Sequence, residues 1–394
     1  MRIGIISVEW LPRHGGAMIY PHRLARQLIR LGHLVSVATG TQCSSTADNG
    51  EVEASRAPVC VDPDDKDSVK RWYGTLGPWL RENAFTHVLV NAPLTRVSHA
   101  YARELYDMVR KMGALTGALH YDLGRDIASE LAWNYGLHGS WTAAVPGVIG
   151  KLRNHLAAVH GTQGWFDIES PFFFEPDFVI TCSEWSGRFI DPLGLWPRFA
   201  FRPWIEPEFS LFPPLHETEM RPVDISFVNP LPHKGADTLT ALIRYCPATW
   251  SFRILQGGYG DGVRKFLADI RDTAAFSENR IHILEYCRDM RAFFAASKVF
   301  IFPSLYEGYG MAAVEALFCG TPVVAREYPA VLEGVGDCAA IVPYTGDAEH
   351  WIETIRQVLA ERDVWQCRAR SRTEFLLKRQ QSEMLALVNF LQSL

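Results

Sequence analysis

The sequence predicts an α/β protein with two doubly wound domains in tandem. Short apolar runs alternate with segments whose apolar residues recur at helical spacing, a pattern typical of parallel sheets covered by helices. This alternation is found both before and after a proline-rich seam at residues 203–222. With 394 residues, the chain is long enough for two domains that each bury a core.

The first half begins with a strand, a helix and a second strand. Residues 3–8 form an apolar run, and the segment 21–31 places three leucines on one helical face. Gly32 follows where a glycine commonly ends a helix, and residues 34–38 form the next apolar run. Further strands are predicted at 86–90, 117–120 and 178–181.

The proline-rich seam predicts the domain boundary. We expect an N-terminal domain at 1–205, a C-terminal domain at 206–375 and a terminal helix at 376–394, within a helical pattern that begins at 373. Strands of the second domain are predicted at 224–228, 252–255, 281–284, 299–302, 322–325 and 339–342.

Residues 123–172 interrupt the regular alternation with many aromatic side chains. This density, which falls outside the strand-helix alternation, predicts an insertion over a cleft. Packing within a core is an equally good interpretation of the same residues.

Composition excludes several classes of protein. The net charge of −5 argues against a nucleic-acid-binding protein with a basic surface. The eight cysteines form no CxxC pair, and no apolar run is long enough to cross a membrane. These observations predict a cytoplasmic protein with neither a zinc ribbon nor a dithiol redox motif.

The most informative stretch is residues 303–324. A strand ends at Pro303, and a glycine-containing turn leads into a helix near Met311. The first N–H groups of a helix attract anions, and glycines let a ligand approach the backbone closely. Glu307 precedes this helix and Glu315 lies inside it, so two carboxylates flank the predicted anion site. Each glutamate, taken alone, is better explained by a turn or a solvated helix face, but the whole string favours a binding site.

The spacing of Glu307 and Glu315, followed by Ala-Leu-Phe-Cys-Gly-Thr-Pro-Val-Val, resembles the E-x7-E motif of family 4 retaining glycosyltransferases. The resemblance covers most of the chain, including Gly15-Gly16 and Thr181-Cys182-Ser183. It implies the GT-B fold: two facing Rossmann-like domains, the first binding the acceptor and the second the nucleotide sugar. It also implies that the C-terminal helix crosses back to the N-terminal domain.

The family assigns roles to the matching residues. Glu307 would contact the donor sugar as a catalytic residue, and Glu315 would hold the nucleotide ribose. The other donor-binding candidates in this stretch are Gly308, Tyr309, Gly310, Met311 and Ala312.

A second loop, residues 227–235, ends in Lys234-Gly235. Relatives commonly carry Gly-Arg earlier in this loop, and their arginine and lysine clamp the diphosphate. Here Asn229-Pro230 stands in that place, so one cation is absent from its usual position. Lys234 becomes the main phosphate-binding and catalytic candidate, and His233 is a weaker one.

The N-terminal half supplies the remaining candidates. His120, the third catalytic candidate, ends the predicted strand 117–120, and in related enzymes a histidine there lies near the donor sugar; a structural histidine is the alternative. Asp122 has a weaker claim. Gly15 and Gly16 would bring the first loop close to the donor, with Gly16 also near the phosphate.

The resemblance implies a metal-independent, retaining hexosyltransferase. It would move a sugar from a nucleotide-diphosphate sugar, a substrate rather than a cofactor, to a carbohydrate or glycolipid acceptor in polysaccharide assembly. No Asp-x-Asp pair stands at a strand end as a metal ligand set. Three alternatives remain: a nucleotide-sugar epimerase of the same fold, a phosphorolytic enzyme and a catalytically silent scaffold partner.

A basic cluster in the last helix favours a solvated face, with weak contact to the inner face of a membrane as the alternative. Its members are Arg368, Arg370, Arg372, Lys378 and Arg379.

Overall fold

The computed structural model confirms the α/β architecture. It describes residues 1–8, 10, 16–40, 54–56, 68, 71–72, 74–91, 99–120, 176–190, 194–210, 220–257, 260–287 and 289–394. Contacts divide the chain into two compact units: unit 1 is Met1–Trp204 with Ser382–Leu394, and unit 2 is Ile205–Gln381. The chain thus divides after residues 204 and 381, where the sequence predicts boundaries after 205 and 375.

Unit 1 contains a parallel sheet of seven described strands in the order β3-β2-β1-β4-β5-β6-β7. Their bounds are β1 Arg2–Ser7, β2 Leu34–Thr39, β3 Ala54–Arg56, β4 His87–Asn91, β5 Leu115–His120, β6 Phe178–Thr181 and β7 Arg198–Ala200. The central strands β4, β5 and β6 are apolar and almost wholly buried, as expected for a sheet covered on both faces.

The described helices of unit 1 follow the predicted alternation. They are Gly16–Arg30, Leu76–Asn83, His99–Lys111 and Glu184–Ile190. The first begins at Gly16, before the predicted start, and therefore contains Pro21 in its interior. Leu24 and Leu28 of this helix are fully buried, so packing of its apolar face offsets the cost of the proline.

Unit 2 contains a parallel sheet of six strands in the order β10-β9-β8-β11-β12-β13. Their bounds are β8 Val223–Val228, β9 Phe252–Leu255, β10 Ile281–Leu284, β11 Ser297–Phe302, β12 Val323–Arg326 and β13 Ala340–Val342. If the strands are renumbered from one within each unit, both sheets have the order 3-2-1-4-5-6, and unit 1 adds a seventh strand after the sixth. The six-strand order is that of doubly wound dinucleotide-binding sheets.

Helices follow each strand of unit 2, and short 3-10 turns lie in three connections. The helices are Ala236–Tyr245, Gly260–Ile270, Ala274–Ser277, Met290–Ala295, Met311–Phe318, Pro329–Val335, Ala348–Ala360 and Arg362–Ser393. The 3-10 turns are Pro207–Ser210, Pro232–Lys234 and Gly336–Cys338.

The structure differs from the sequence-based prediction in two short strands and in the start of the terminal helix. Strands β3 and β7 were not predicted, because each has only three residues and no long apolar run. The terminal helix begins at Arg362, well before residue 373, because buried Ala369 and partly buried Arg372 pack its first turns within unit 2. The predicted aromatic insertion at 123–172 lies outside the described residues.

The end of the terminal helix belongs to unit 1, in agreement with the predicted crossing. The His87 ring nitrogen Nε2 lies 2.9 Å from the Leu391 carbonyl oxygen, and Phe390 packs edge-on against Phe178. Arg202 forms an ion pair with Glu383 at 2.6 Å.

Within the described parts of the chain, every helix is either too short or too polar to cross a membrane.

Candidate active site

The strand order of unit 2 brings two predicted site loops together. β8 and β11 are adjacent parallel strands, and the order reverses between them. In an open α/β sheet, ligands bind outside the carboxyl ends of the strands at this reversal. Lys234 follows β8 and Glu307 follows β11, so both candidates lie at that edge.

Backbone contacts fix the two loops against each other. The Leu305 N–H donates to the His233 carbonyl oxygen at 2.9 Å. Gly235 has a φ of +89°, and a Cβ on this residue would lie 2.5 Å from the Pro303 carbonyl oxygen. Only glycine fits there, because both the conformation and the close packing exclude a side chain.

The side chains of Lys234 and Glu307 meet between these loops. The lysine Nζ donates to the Glu307 Oε1 at 2.7 Å. The lysine side chain is 23% exposed and that of the glutamate 11%, so the pair is largely shielded from water. Such a charge-assisted hydrogen bond is shorter and stronger than a neutral one. The sequence predicts both residues as candidates but not their pairing.

A second contact joins the same loops. The rings of His233 and Tyr306 stack with centroids 5.3 Å apart and an interplanar angle of 16°. His233, the weaker candidate beside Lys234, is therefore held by a neighbour of Glu307.

Asn229 stands where the family resemblance described above implies a glycine. Its φ is +57°, in the left-handed region. Asparagine is one of the few other residues that tolerate this conformation, so the sharp turn is kept without glycine. Pro230 follows and carries no charge, so the loop has its turn without the arginine.

Gly310 adopts a φ of +83° and precedes the helix Met311–Phe318. A Cβ there would lie 3.2 Å from atoms of Phe302 and Val331. This glycine lets the chain turn from the loop into a buried helix whose first N–H groups face its amino end. The start of the helix at Met311 agrees with the sequence prediction.

Glu315 is 7% exposed, so it does not belong to a solvated helix face. It lies in a helix whose residues from Ala313 to Phe318 are all buried. Burial and the nearby Glu315 carboxylate raise the pKa of the Cys319 thiol well above its usual range, so the thiol stays protonated at neutral pH.

Arg326, the last residue of β12, belongs to this region although no sequence motif predicts it. Its guanidinium donates to the Pro303 carbonyl oxygen at 3.0 Å, to the Thr238 hydroxyl at 2.9 Å and to the Tyr344 carbonyl oxygen. It also lies 5.6 Å from the centroids of the Tyr344 and Trp351 rings. Burial lowers its pKa, yet arginine keeps its charge at neutral pH. One sequence signal was available: a cation directly after the apolar run 322–325.

The terminal helix also reaches this region. Arg379 donates to the Tyr309 hydroxyl at 3.3 Å, and Arg372 donates to the carbonyl oxygens of Glu333 and Gly334. These two members of the basic cluster therefore pack within unit 2, in contrast to the predicted solvated face. The other three members, Arg368, Arg370 and Lys378, are exposed.

In unit 1, His120 ends β5 and is 5% exposed. Burial lowers the pKa of its imidazole to about 3, so the ring is neutral at pH 7. A neighbouring polar contact was missed from the sequence: the Asn91 amide donates to the Ser7 hydroxyl at 2.9 Å, where β4 and β1 end. The signal was a polar residue at the last position of each strand.

Gly16 is the first residue of the helix Gly16–Arg30. Gly15 and Asp122 lie outside the described residues, so their predicted roles stay predictions.

Comparisons with known proteins show similarity to glycosyltransferases. Residues 223–361 match the family described as glycosyl transferases group 1. The O-antigen chain mannosyltransferase B of Escherichia coli is 38% identical over 77 residues. That match spans 20% of this chain and 20% of the relative.

Two solved structures resemble the whole chain. The structure of HepE from Anabaena with UDP-glucose has a TM-score of 0.72 at 14% identity and covers 100% of both chains. Sucrose-phosphate synthase from Thermosynechococcus elongatus has a TM-score of 0.73 at 16% identity, covering 100% of this chain and 98% of its own. The chain therefore has the GT-B fold of glycosyltransferase structures, and its residues 223–361 match the glycosyl transferases group 1 family.

Proposed function

We propose that this protein is a retaining glycosyltransferase that moves a sugar from a nucleotide-diphosphate sugar to a carbohydrate or lipid-linked acceptor. One observation carries the proposal: Lys234 and Glu307 meet at 2.7 Å where the strand order of unit 2 reverses. A cation and a carboxylate side by side suit a substrate that has a diphosphate next to a hydroxyl-rich sugar.

Each residue has a role that follows from its chemistry. Lys234 and the amino end of the helix Met311–Phe318 would stabilise the negative charge that develops on the departing diphosphate. Glu307 would accept hydrogen bonds from sugar hydroxyls. Glu315, buried in the same helix, would accept hydrogen bonds from the nucleotide ribose, as the family resemblance implies.

The reaction breaks the bond between the anomeric carbon and the diphosphate oxygen, which keeps the electron pair. The acceptor hydroxyl oxygen forms a new bond to the same carbon from the same face. Its proton passes to an oxygen of the departing diphosphate. The proposed charge stabilisation comes from Lys234 and backbone N–H groups, so we expect transfer to persist in the presence of EDTA.

The comparisons support the substrate class. The matched family consists of glycosyl transferases, and the curated relative is named as a mannosyltransferase of O-antigen chains. The HepE structure contains UDP-glucose. We accordingly propose polysaccharide or glycoconjugate assembly as the process, with a hexose as the transferred sugar.

A panel of nucleotide sugars tests the proposal. We expect the wild-type chain to release a nucleoside diphosphate from one donor, detected by ³¹P NMR, faster with a saccharide acceptor than with water alone. Early ¹H NMR spectra should show that the product keeps the anomeric configuration of the donor. Glu307→Gln should slow release at least 100-fold, a loss of about 2.7 kcal/mol in transition-state stabilisation.

The control is Glu353→Gln, which makes the same change in an exposed carboxylate paired with Arg356. It should leave turnover unchanged. Conversion of the nucleotide sugar without release of a nucleoside diphosphate would identify an epimerase. Release that depends on inorganic phosphate would identify a phosphorolytic enzyme.

A further inference from the structure

The Lys234–Glu307 pair has a consequence for ligand preference. Both partners are proposed to contact the same substrate, the lysine its diphosphate and the glutamate its sugar. In the ligand-free protein the Glu307 carboxylate lies 2.7 Å from the Nζ atom that a phosphate oxygen would approach. A phosphate that binds Lys234 must therefore compete with a carboxylate already in place.

The shielding of the pair makes this competition costly. The Glu307 side chain is only 11% exposed, so water can solvate the carboxylate poorly once Lys234 turns to a phosphate. A buried group that loses its hydrogen-bond partner is destabilised by its full desolvation free energy. A bound sugar would offset this penalty because its hydroxyls donate to the same carboxylate. A nucleoside diphosphate without a sugar offers no such replacement.

The loops themselves are held firmly while the side chains exchange partners. The bond between Leu305 N–H and the His233 carbonyl, the close packing at Gly235 and the His233–Tyr306 stack join the backbones independently of the ion pair. The exchange then needs only side-chain rotation.

We infer that Glu307 acts as an internal competitor for Lys234, so that the site favours an intact nucleotide sugar over the free nucleoside diphosphate product. The inference rests on the proposed function and adds a role to its residues. After transfer, the sugar leaves, the carboxylate returns to Lys234 and the product is released more readily.

Calorimetric titration with nucleoside diphosphates tests this competition. The probes are ADP, GDP, UDP and dTDP, titrated into the full chain. Glu307→Gln removes the carboxylate charge, so the preferred nucleoside diphosphate should bind roughly threefold to tenfold more tightly than it binds wild type, because desolvation offsets much of the Coulomb energy of a largely shielded ion pair. Glu307→Ala serves as a second variant if the glutamine variant folds poorly.

A double-mutant cycle identifies the partner. In a Lys234→Ala background, Glu307→Gln should no longer improve binding, because the competed cation is gone. Lys298→Gln is the matched control: it breaks an ion pair with Asp224 of similar length, 2.8 Å, at the opposite edge of the sheet, and should leave affinity unchanged.

Equal affinities of wild type and both Glu307 variants would overturn the inference, as would a gain that persists without Lys234. Either result leaves the proposed function intact. Absence of binding by every variant, mutant and wild type alike, would refute the proposed function together with the inference.

Discussion

Among its single residues, the site combines side chains that the sequence predicts with one, Arg326, that it does not. Lys234, Glu307 and Glu315 were candidates from the sequence, since each belongs to a recognisable local string. Arg326 was not, because its importance comes from partners in separate elements: Thr238, Pro303 and Tyr344. A single sequence does not show that one guanidinium joins these distant positions.

Replacement of Arg326 should disturb both stability and ligand binding. We expect Arg326→Met to lower the free energy of unfolding by roughly 1–3 kcal/mol, because buried acceptors lose their donor. We also expect it to weaken nucleoside diphosphate binding at least fivefold, since the loop beginning at Pro303 carries Glu307. Urea unfolding and calorimetric titration measure the two effects.

Arg326→Lys should recover part of the affinity, because the ammonium still reaches some of the acceptors. Arg356→Met, a change in an exposed arginine, is the control and should affect neither quantity. Unchanged affinity in Arg326→Met, measured well below its melting temperature, would show that Arg326 does not position the loop.

The burial of His120 predicts how the stability of the protein depends on pH. Its pKa falls from 6.5 to about 3 on folding. The unfolded chain therefore binds the proton more readily, and the stability contributed by neutral His120 is complete above pH 6.5 and is lost as the pH falls toward 3. As the pH falls below 6.5, wild type should lose stability relative to His120→Asn by at most about 1.4 kcal/mol per pH unit.

Urea unfolding at pH 8, 7, 5.5 and 4.5 measures this difference. Between pH 8 and 7 the difference should stay nearly constant, which provides an internal control. A difference that is equally constant down to pH 4.5 would contradict burial of the neutral ring.

At the scale of elements, the alternation of strands and helices was predictable, and their carboxyl-end loops could be assigned to one sheet edge. Strands Phe252–Leu255 and Ile281–Leu284 have the predicted bounds. Short edge strands were missed, because β3 and β7 depend on pairing with a neighbour rather than on an apolar run. The early start of the terminal helix was missed for a similar reason, since tertiary contacts hold its charged first turns.

The close contact between the two site loops can be tested at Gly235. We expect Gly235→Ala to lower the melting temperature and weaken nucleoside diphosphate binding. The added Cβ would clash with the Pro303 carbonyl oxygen, and the positive φ of this residue is unfavourable for alanine. Gly113→Ala is the matched control: its φ is +77°, and nothing lies within 4 Å of the added Cβ.

Gly113→Ala should lower the free energy of unfolding only by the conformational strain of a left-handed alanine, about 1–2 kcal/mol. Differential scanning fluorimetry compares the two variants. Equal losses of stability with unchanged binding in Gly235→Ala would show that the loops do not need this close packing.

At the scale of the whole molecule, two sheets with a shared strand order account for the GT-B fold, and the sequence was sufficient to predict it. The last residues of the terminal helix complete unit 1 rather than unit 2. Leu387 and Leu391 of this segment are buried, whereas Leu385 is 57% exposed.

Two identical substitutions therefore test how the chain end stabilises unit 1. Leu387→Ala should lower the free energy of unfolding by roughly 2–5 kcal/mol, because it leaves a cavity. Leu385→Ala should stay within about 0.5 kcal/mol of wild type. Urea unfolding followed by tryptophan fluorescence measures both, and equal effects would contradict the packing of this segment.

We propose that the edge of the sheet between β8 and β11 binds a nucleotide sugar by its diphosphate. A crystal structure of the chain with the donor selected by the panel would locate the bound diphosphate. We expect phosphate oxygens within hydrogen-bond distance of Lys234 Nζ, with Glu307 turned to the sugar. A diphosphate bound elsewhere, with the Lys234–Glu307 pair still intact, would contradict this proposal.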